Sequence, residues 1–274
     1  MPSTRLALAL VLSLSQAPFP VDGATRPDPS VVPQTAATSA KIWPGRYAEI
    51  EEQLKTARVV HSEELGVGVT NPLLCRLDPS DPVGSLVFKA IPPGRHRGFW
   101  DSYRSEIAAY ELDKLLELDM VPVAVERYFR GDPGAAIMLL EPVESWEDLI
   151  AAAAKPADPQ GWARQVIRMQ MFDNLIGNED RNAGNLLVDP AWNLLLIDHS
   201  RAFSDDTDLL YEMGRIDRGL WDRMVGLSET ALSDALEPWV GSRALRGLLE
   251  RRTRMQDAIE TMVEAKGEAG VFLR

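Results

Sequence analysis

The residues best suited to chemistry lie between positions 172 and 203. Asp180 and Asn185 stand five residues apart in a polar segment, and Asp198 follows directly after the apolar run at residues 194–197. Phosphoryl transfer needs a carboxylate near the attacking hydroxyl and oxygen ligands on a divalent cation. Asp180, Asn185 and Asp198 fit these roles, so the sequence indicates a nucleotide-dependent phosphotransferase site.

Two other interpretations of these residues are open. In a purely structural one, Asp180 pairs with Arg181 in a loop salt bridge. Asn185 would then cap a turn, and Asp198 would be an ordinary residue at a strand end. In the other, Asp173, Asp180 and Asp198 form the metal site of a hydrolase. Helical geometry disfavours the hydrolase, because the Asp173 carboxylate should lie about two turns, roughly 10 Å along the axis, before Asp180.

A helix and a strand hairpin are predicted to position the site residues. Apolar residues recur at helical spacing over residues 162–176, which predicts a buried helix that ends just before the polar segment. Residues 185–188 and the apolar run 194–197 predict two paired strands, joined by a turn at residues 189–193. The polar segment that carries Asp180 and Asn185 should therefore meet Asp198 at one edge of this strand pair.

The chain before this helix is rich in predicted strands. After a helix at residues 42–56, strands are predicted at residues 64–70, 72–77, 84–90, 121–127 and 135–140. Gly66 and Gly68 in the first strand would let backbone amides approach a phosphate closely. Two glycines in a strand equally mark a bulge or turn. Neither a complete glycine-rich dinucleotide motif nor a Walker A sequence is present.

Among the predicted strands before the helix at residues 162–176, Lys89 is the cation that best fits a nucleotide-binding role. Strand alternation puts Lys89 on the same face as Val87, where it could point into a cleft and pair with nucleotide phosphates. A helix predicted at residues 105–116 offers Glu106 and Glu111 as ion-pair partners. Glu106 is preferred because it lies in the first turn. The alternative is that these side chains are solvated.

Residues 176–185 and 196–203 together resemble the catalytic and metal-binding loops of atypical kinases. These are the HipA-type kinases, the phosphatidylinositol 3- and 4-kinases, and especially the secretory-pathway kinases that phosphorylate proteins or xylose. The resemblance implies an α+β, bilobal protein-kinase-like fold, with a strand-rich N-lobe, a mostly helical C-lobe and a hinge near Leu140. It also implies ATP as the nucleotide, Mg or Mn as the metal, and an unidentified hydroxyl on a protein, glycan or lipid as the acceptor.

The same resemblance implies a role for each site residue. Asp180 corresponds to the catalytic aspartate, and Asn185 and Asp198 correspond to the metal ligands. Lys89 and Glu106 correspond to the ion pair of the N-lobe that positions the phosphates. All five residues are therefore predicted to face one nucleotide-binding cleft.

Two positions depart from the kinase pattern. Asn182 stands where many of these kinases have a histidine, and His199-Ser200 stands where a typical kinase has Phe-Gly. A pseudokinase that binds nucleotide or acts as a scaffold without turnover is therefore an alternative, as is a nucleotidyltransferase on the same fold. Retention of the two aspartates and the asparagine argues against the pseudokinase.

Composition limits the partners of the chain. The 274 residues carry a net charge of −12 at neutral pH, which repels the phosphate backbone of nucleic acids. Cys75 is the one cysteine and cannot form an internal disulfide, and the three histidines lack zinc-ligand spacing. Neither a nucleic-acid partner nor a zinc site is expected.

Four regions are predicted along the chain. Residues 1–24 resemble a secretory signal peptide, and residues 25–41 form a linker rich in Pro, Ser, Thr and Ala. Residues 42–141 are the predicted N-lobe and residues 142–274 the predicted C-lobe. No later segment could span a bilayer, which needs about 20 apolar residues. We therefore expect a secreted, periplasmic or secretory-compartment protein if the signal is real, and a cytoplasmic one otherwise.

The last part of the chain, residues 206–266, is predicted to be helical. Arg251, Arg252 and Arg254 form a small basic cluster within it. Such charge runs usually form a solvated helix face, and this is the prediction here. The alternative is that the cluster helps to bind an acidic substrate.

Overall fold

A five-stranded sheet forms the first half of the fold. The computed structural model describes residues 39–66, 72–79, 83–96 and 98–273. The elements of this half are α1 (Tyr47–Thr56), β1 (Val59–Glu64), β2 (Leu73–Leu77), β3 (Ser85–Lys89), β4 (Gly94–His96), β5 (Phe99–Asp101), α2 (Tyr103–Leu115), β6 (Ala124–Phe129) and β7 (Asp132–Met138). The sheet order is β1-β2-β3-β7-β6, and each neighbouring pair is antiparallel. Strands β4 and β5 form a separate hairpin.

The second half is mostly helical. Its elements are β8 (Glu144–Ser145), α3 (Trp146–Ala151), α4 (Pro159–Ile176), β9 (Leu186–Val188), β10 (Leu194–Leu196), β11 (Ile216–Asp217), α5 (Arg218–Gly226), α6 (Glu229–Lys266), α7 (Glu268–Val271) and β12 (Phe272–Leu273). Strands β8, β9 and β10 form a small antiparallel sheet. Within the described ranges, no helix is both long and apolar enough to cross a membrane. The predicted α+β class, strand-rich first and helical second, is confirmed.

Helix α4 leads the chain into the polar segment. Asp158 caps its start by accepting hydrogen bonds from the backbone N–H groups of Gln160 and Gly161, at 3.1 and 3.0 Å. Gly177 ends the helix in the left-handed conformation, with φ 62°. Glycine adopts this conformation without the steric cost that a side chain would add. The helix therefore stops at the point where the candidate site begins.

Helix α2 joins the two halves. It packs against β6 and β7 of the large sheet and against α6 of the helical half. Its side chains Ile107 and Leu112 are fully buried between these elements. Glu106, in the first turn of α2, thus lies on the helix that contacts both the large sheet and the helical half.

Strand β1 differs from its prediction. It runs over Val59–Glu64, whereas the sequence predicted a strand at residues 64–70, of which residues 67–70 lie outside the described part. As the edge strand of the sheet, β1 exposes most of its side chains, so its polar sequence shows no clear alternation of faces. Of the predicted strand, the described residues 64–66 agree with β1 only at Glu64, and residues 59–63 of β1 were not predicted.

The prediction that Arg251 is solvated was wrong. Its side chain is fully buried, and the guanidinium donates to the backbone carbonyls of Leu175 and Ser204, both at 3.0 Å, and of Asp206. Helix α6 packs this face against α4, where Leu175 supplies one acceptor carbonyl near the C-terminal end, and the segment after β10 supplies the other two. Arg254, in contrast, remains exposed as expected.

The predicted signal peptide and nearly all of the predicted linker lie outside the described residues, and so does Gly68. The division into lobes between residues 141 and 142 stays a prediction.

Candidate active site

Lys89 lies at the centre of an ion cluster between the two halves. Its Nζ atom is 2.7 Å from Glu106 Oε1 and 3.0 Å from Asp198 Oδ1. Burial alone would lower the pKa of Lys89, but the Glu106 and Asp198 carboxylates offset burial and raise it. Glu111 lies 2.9 Å from Lys114 instead. The structure thus brings together three of the residues singled out from the sequence.

Three different elements position this cluster. Lys89 is the last residue of β3 and faces Ala135 of β7 in the strand register. Ser102 caps α2 by accepting a hydrogen bond from the backbone N–H of Arg104, which fixes the turn that carries Glu106. Asp198 follows β10 by two residues and has a left-handed backbone, with φ 60°. This conformation, which Asp tolerates better than most residues, turns the chain beside Lys89.

Arg181 ties the polar loop to the end of the hairpin. Its guanidinium is 2% exposed and makes two hydrogen bonds to the Asp173 carboxylate, at 2.8 and 3.0 Å. It also donates to the backbone carbonyls of Asn185 at 3.0 Å and Ile197 at 2.7 Å. A planar cation with several fixed donors can hold such distant backbone segments in one geometry. Arg181 therefore sets the spacing between the loop and the residues after β10.

This arrangement decides two of the alternative interpretations. Asp173 is fully buried and bound to Arg181, so its carboxylate is not open to a metal ion shared with Asp180. The hydrolase site is therefore excluded. Arg181 pairs with Asp173 and not with Asp180, so the proposed loop salt bridge is also absent.

His199 connects Arg181 to the Lys89 cluster. Its backbone N–H donates to Glu106 Oε2 at 2.9 Å, and its ring Nε2 lies 2.9 Å from Arg181 Nη2. Because the guanidinium only donates, Nε2 must accept, which leaves the proton of a neutral ring on Nδ1. Burial lowers the pKa of His199 and favours this neutral form. A continuous buried polar chain thus runs from Asp173 to Lys89.

Asp180 lies near this buried polar chain and is partly exposed. Its carboxylate, 37% exposed, lies 3.0 Å from the Arg201 guanidinium. Burial raises the pKa of Asp180, Arg201 opposes this rise, and the Asp198 and Asp101 carboxylates add to it. Asn185 Nδ2 donates to the backbone carbonyl of Asp180 at 2.9 Å. Asp180, Asn185 and Asp198 therefore share one region.

Comparison with known proteins was made by sequence and by structure. No protein-family model and no curated protein matches the sequence. A hydra Fam20 protein, solved with sugar, has a TM-score of 0.66 and 19% identity over 83% of this chain and 92% of its own. The Golgi casein kinase, solved with Mn and ADP, has a TM-score of 0.62 and 14% identity over 84% of this chain and 79% of its own. The Helicobacter pylori proinflammatory kinase CtkA has a TM-score of 0.53 and 13% identity over 77% of this chain and 97% of its own.

These matches extend over both the strand-rich and the helical parts. This chain has an atypical protein-kinase-like fold. The fold predicted from two short sequence segments is therefore confirmed. At such low identities, the roles of individual residues in this kinase-like fold stay predictions.

The oxygen donors of the kinase-like fold suit a hard divalent cation. Asp198 Oδ1 is engaged by Lys89 and Ser200, while its Oδ2 has no hydrogen bond from any described residue. Carboxylate and amide oxygens are ligands that Mg²⁺ and Mn²⁺ accept, with phosphate and water completing the shell. Among the described residues, no group of three or more His, Cys, Asp or Glu side chains could hold a metal by itself. The residues present therefore fit a metal that is shared with a phosphate ligand.

The glycines are less informative than the ion cluster. Gly66 is exposed just after β1, with φ 64°, and beyond its chain neighbours no atom lies within 4 Å of the position of a Cβ. This leaves room for a ligand, but no contact joins Gly66 to the site. The phosphate-covering role of Gly66 and Gly68 stays a prediction.

Three residues of this region were not predicted as site residues from the sequence: Arg181, His199 and Arg201. Each is a polar residue next to, or within three positions of, a predicted site aspartate. That proximity is the only available signal, because their partners lie on other elements.

Proposed function

We propose that this protein is a metal-dependent kinase that transfers the γ-phosphoryl group of ATP to an acceptor hydroxyl. The observation that carries this proposal is the contact of Lys89 with both Glu106 and Asp198, at 2.7 and 3.0 Å. These residues come from separate parts of the chain. Phosphoryl transfer requires a lysine for the phosphates, a glutamate that pairs with this lysine and an aspartate for the metal, and Lys89, Glu106 and Asp198 would supply them. A kinase-like fold with kinases among its neighbours supports the same chemistry.

Each residue has a distinct role in the proposed reaction. Lys89, oriented by Glu106, binds the phosphates of the nucleotide. Asp180 receives the proton of the acceptor hydroxyl or orients that hydroxyl, and its raised pKa suits proton acceptance. Asp198 and Asn185 hold the metal, which neutralises charge on the phosphates. Residues 42–141 and 142–274 are proposed as the lobes that enclose the nucleotide.

The proposed acceptor is a hydroxyl group, and the proposed location is a secretory compartment. A protein, a glycan or a lipid hydroxyl would fit the exposed side of Asp180. A secretory compartment is supported by the kinship in fold with a Golgi casein kinase and by the signal-like residues 1–24. The net charge of −12 argues against a nucleic-acid acceptor.

The test combines nucleotide binding with phosphoryl transfer. Purified protein is titrated with ATP in the presence and absence of Mn²⁺ or Mg²⁺, and is incubated with labelled ATP and panels of proteins, glycans and lipids. Wild type is expected to bind ATP only with metal. Asp198→Asn should lose this binding, whereas Asp180→Asn should keep binding and lose transfer by about 100-fold to 10,000-fold. Asp222→Asn, an exposed carboxylate on α5, is the matched control and should behave as wild type.

Two results would decide against the proposal in different ways. If wild type and Asp198→Asn show the same nucleotide binding, or none, the kinase interpretation is wrong. If wild type binds ATP with metal but transfers no phosphoryl group to any acceptor or to water, the protein is a nucleotide-binding pseudokinase.

A further inference from the structure

Arg201 is a cation of the cleft that has no role in the chemistry described so far. The carboxylates of Asp101 and Asp198 lie close enough to Asp180 to raise its pKa. Among the described residues, the cations that contact these carboxylates are Lys89, at Asp198, and Arg201, at the other two. Lys89 therefore contacts the proposed metal ligand Asp198, and Arg201 contacts Asp180, the residue proposed to accept the proton of the acceptor hydroxyl.

The guanidinium of Arg201 is held on several sides. Its Nε donates to Asp101 Oδ1 at 3.0 Å, and its Nη1 lies 3.0 Å from Asp180 Oδ2. Its Cζ atom lies 4.3 Å from the ring centroid of Phe99, in a cation–π contact. No contact within the described ranges occupies Nη2, and the side chain is 20% exposed. Arg201 thus combines a fixed position with free N–H donors.

The hairpin of β4 and β5 builds this position. Asp101, at the end of β5, is 4% exposed and also lies 3.4 Å from the Ser200 hydroxyl. The backbone N–H of Ser102 donates to the Ser200 carbonyl at 2.9 Å, which fastens the end of the hairpin to the segment that carries Arg201. The orientation of the guanidinium is therefore set before any ligand binds.

Phosphoryl transfer places negative charge next to this guanidinium. The bond between the acceptor oxygen and the γ-phosphorus forms while the bond from that phosphorus to the β-phosphate oxygen breaks. The electron pair of the broken bond leaves with ADP, and the proton of the acceptor hydroxyl passes to the Asp180 carboxylate. The transferring group lies between the acceptor and ADP, with charge on its equatorial oxygens. A cation that contacts Asp180 is close to those oxygens.

We propose that Arg201 is a catalytic residue that binds the transferring phosphoryl group through its free N–H donors. This inference rests on the proposed kinase function. The competing explanation is that Arg201 only fastens the hairpin to the segment after Asp198. The two differ in one measurable property: a phosphoryl-binding Arg201 discriminates ATP from ADP, because only ATP carries the γ-phosphate, whereas a fastening Arg201 does not.

The experiment measures the affinity of the full chain for a non-hydrolysable ATP analogue and for ADP, both with Mn²⁺, by calorimetry. Arg201→Met should weaken analogue binding by about 10-fold to 100-fold, the worth of a charge-assisted hydrogen bond. ADP binding should change by less than about 2-fold on the same scale. Arg201→Lys should recover part of the loss, because it keeps the charge but not the planar fork.

Arg218→Met is the matched control. Arg218 also stacks on an aromatic ring, 3.4 Å from the centroid of Phe272, and pairs with Glu268 at 2.9 Å, but it lies on α5 away from the cleft. It should leave both affinities unchanged. Thermal unfolding of all variants checks that they fold, and Arg201→Lys replaces Arg201→Met if the latter does not.

The outcomes separate this inference from the proposed function. Equal loss of analogue and ADP binding, or no loss of either, in the Arg201 variants overturns the phosphoryl-binding role and leaves the kinase proposal intact. Failure of wild type to bind either nucleotide with metal overturns the kinase proposal and the inference together, and is visible before any variant is made.

Discussion

Replacement of Asp173 by alanine is expected to destabilise the protein strongly. Asp173 is fully buried, and both of its carboxylate oxygens accept hydrogen bonds from Arg181, at 2.8 and 3.0 Å. In Asp173→Ala, the guanidinium of Arg181, 2% exposed, would keep a buried positive charge without a counter-charge. Removal of one partner of a buried ion pair costs about 3–5 kcal/mol of unfolding free energy.

The remaining contacts of Arg181 favour the lower end of this range. The guanidinium keeps its hydrogen bonds to the carbonyls of Asn185 and Ile197 in the variant, at 3.0 and 2.7 Å. We therefore expect a loss of about 3 kcal/mol, measured by urea unfolding followed by fluorescence. The double variant Asp173→Ala with Arg181→Met removes both charges, and should cost less than the sum of the single variants by about 0.5–3 kcal/mol.

An exposed ion pair provides the control. Glu268, whose side chain is 70% exposed, lies 2.9 Å from Arg218, and Glu268→Ala should cost less than about 1 kcal/mol. A loss below about 1 kcal/mol for Asp173→Ala, or strict additivity in the double variant, would refute the view that the buried pair positions the loop.

Two further predictions concern buried groups outside the cleft. Burial raises the pKa of Asp113 to about 7, while an aspartate in the unfolded chain loses its proton near about pH 4. The folded state therefore holds an extra proton in this window, and the unfolding free energy contributed by Asp113 falls as pH rises through it. Asp113→Asn should remove up to about 4 kcal/mol of this fall. If wild type and Asp113→Asn show the same dependence of the unfolding free energy on pH in urea unfolding, the raised pKa of Asp113 is contradicted. Gly177 has φ 62°, and a Cβ there would lie 2.9 Å from the Arg251 guanidinium carbon, so Gly177→Ala should cost at least about 1 kcal/mol. Gly226→Ala, with open space around it, is the control, and equal melting temperatures for the two variants would disprove this reasoning.

Local periodicity was sufficient to predict the elements that carry the site. Helical spacing over residues 162–176 predicted the helix observed as α4, and alternation over residues 84–90 predicted β3. These predictions hold because neighbours two to four positions apart determine which face of an element is buried. Residues 59–63 of the edge strand β1 were not predicted, because most of the side chains of β1 are exposed and its sequence therefore shows no alternation of apolar and polar residues.

The burial of charged side chains and their pairing with distant residues could not be predicted from local periodicity. Arg251 was assigned to solvent from its charged neighbours, yet it is fully buried by the packing of α6 on α4. Likewise, nothing adjacent in the sequence indicates that Arg181 binds Asp173 or that His199 accepts from Arg181. Such pairs depend on which helix faces meet, and the chain does not encode that in any short pattern.

The sequence by itself determined the chemical groups of the candidate site. It placed Asp180 and Asn185 in a loop after a buried helix, and Asp198 at the end of a hairpin, and the resemblance of these two segments to atypical kinases implied a kinase-like fold. Only the tertiary structure decided which groups meet. Lys89 and Asp198 are 109 positions apart, and their contact at 3.0 Å exists because helix α2 packs between the sheet and the helical half. The contacts of Arg201 have the same origin, since its partners Asp101 and Asp180 lie in a distant hairpin and in the polar loop after α4.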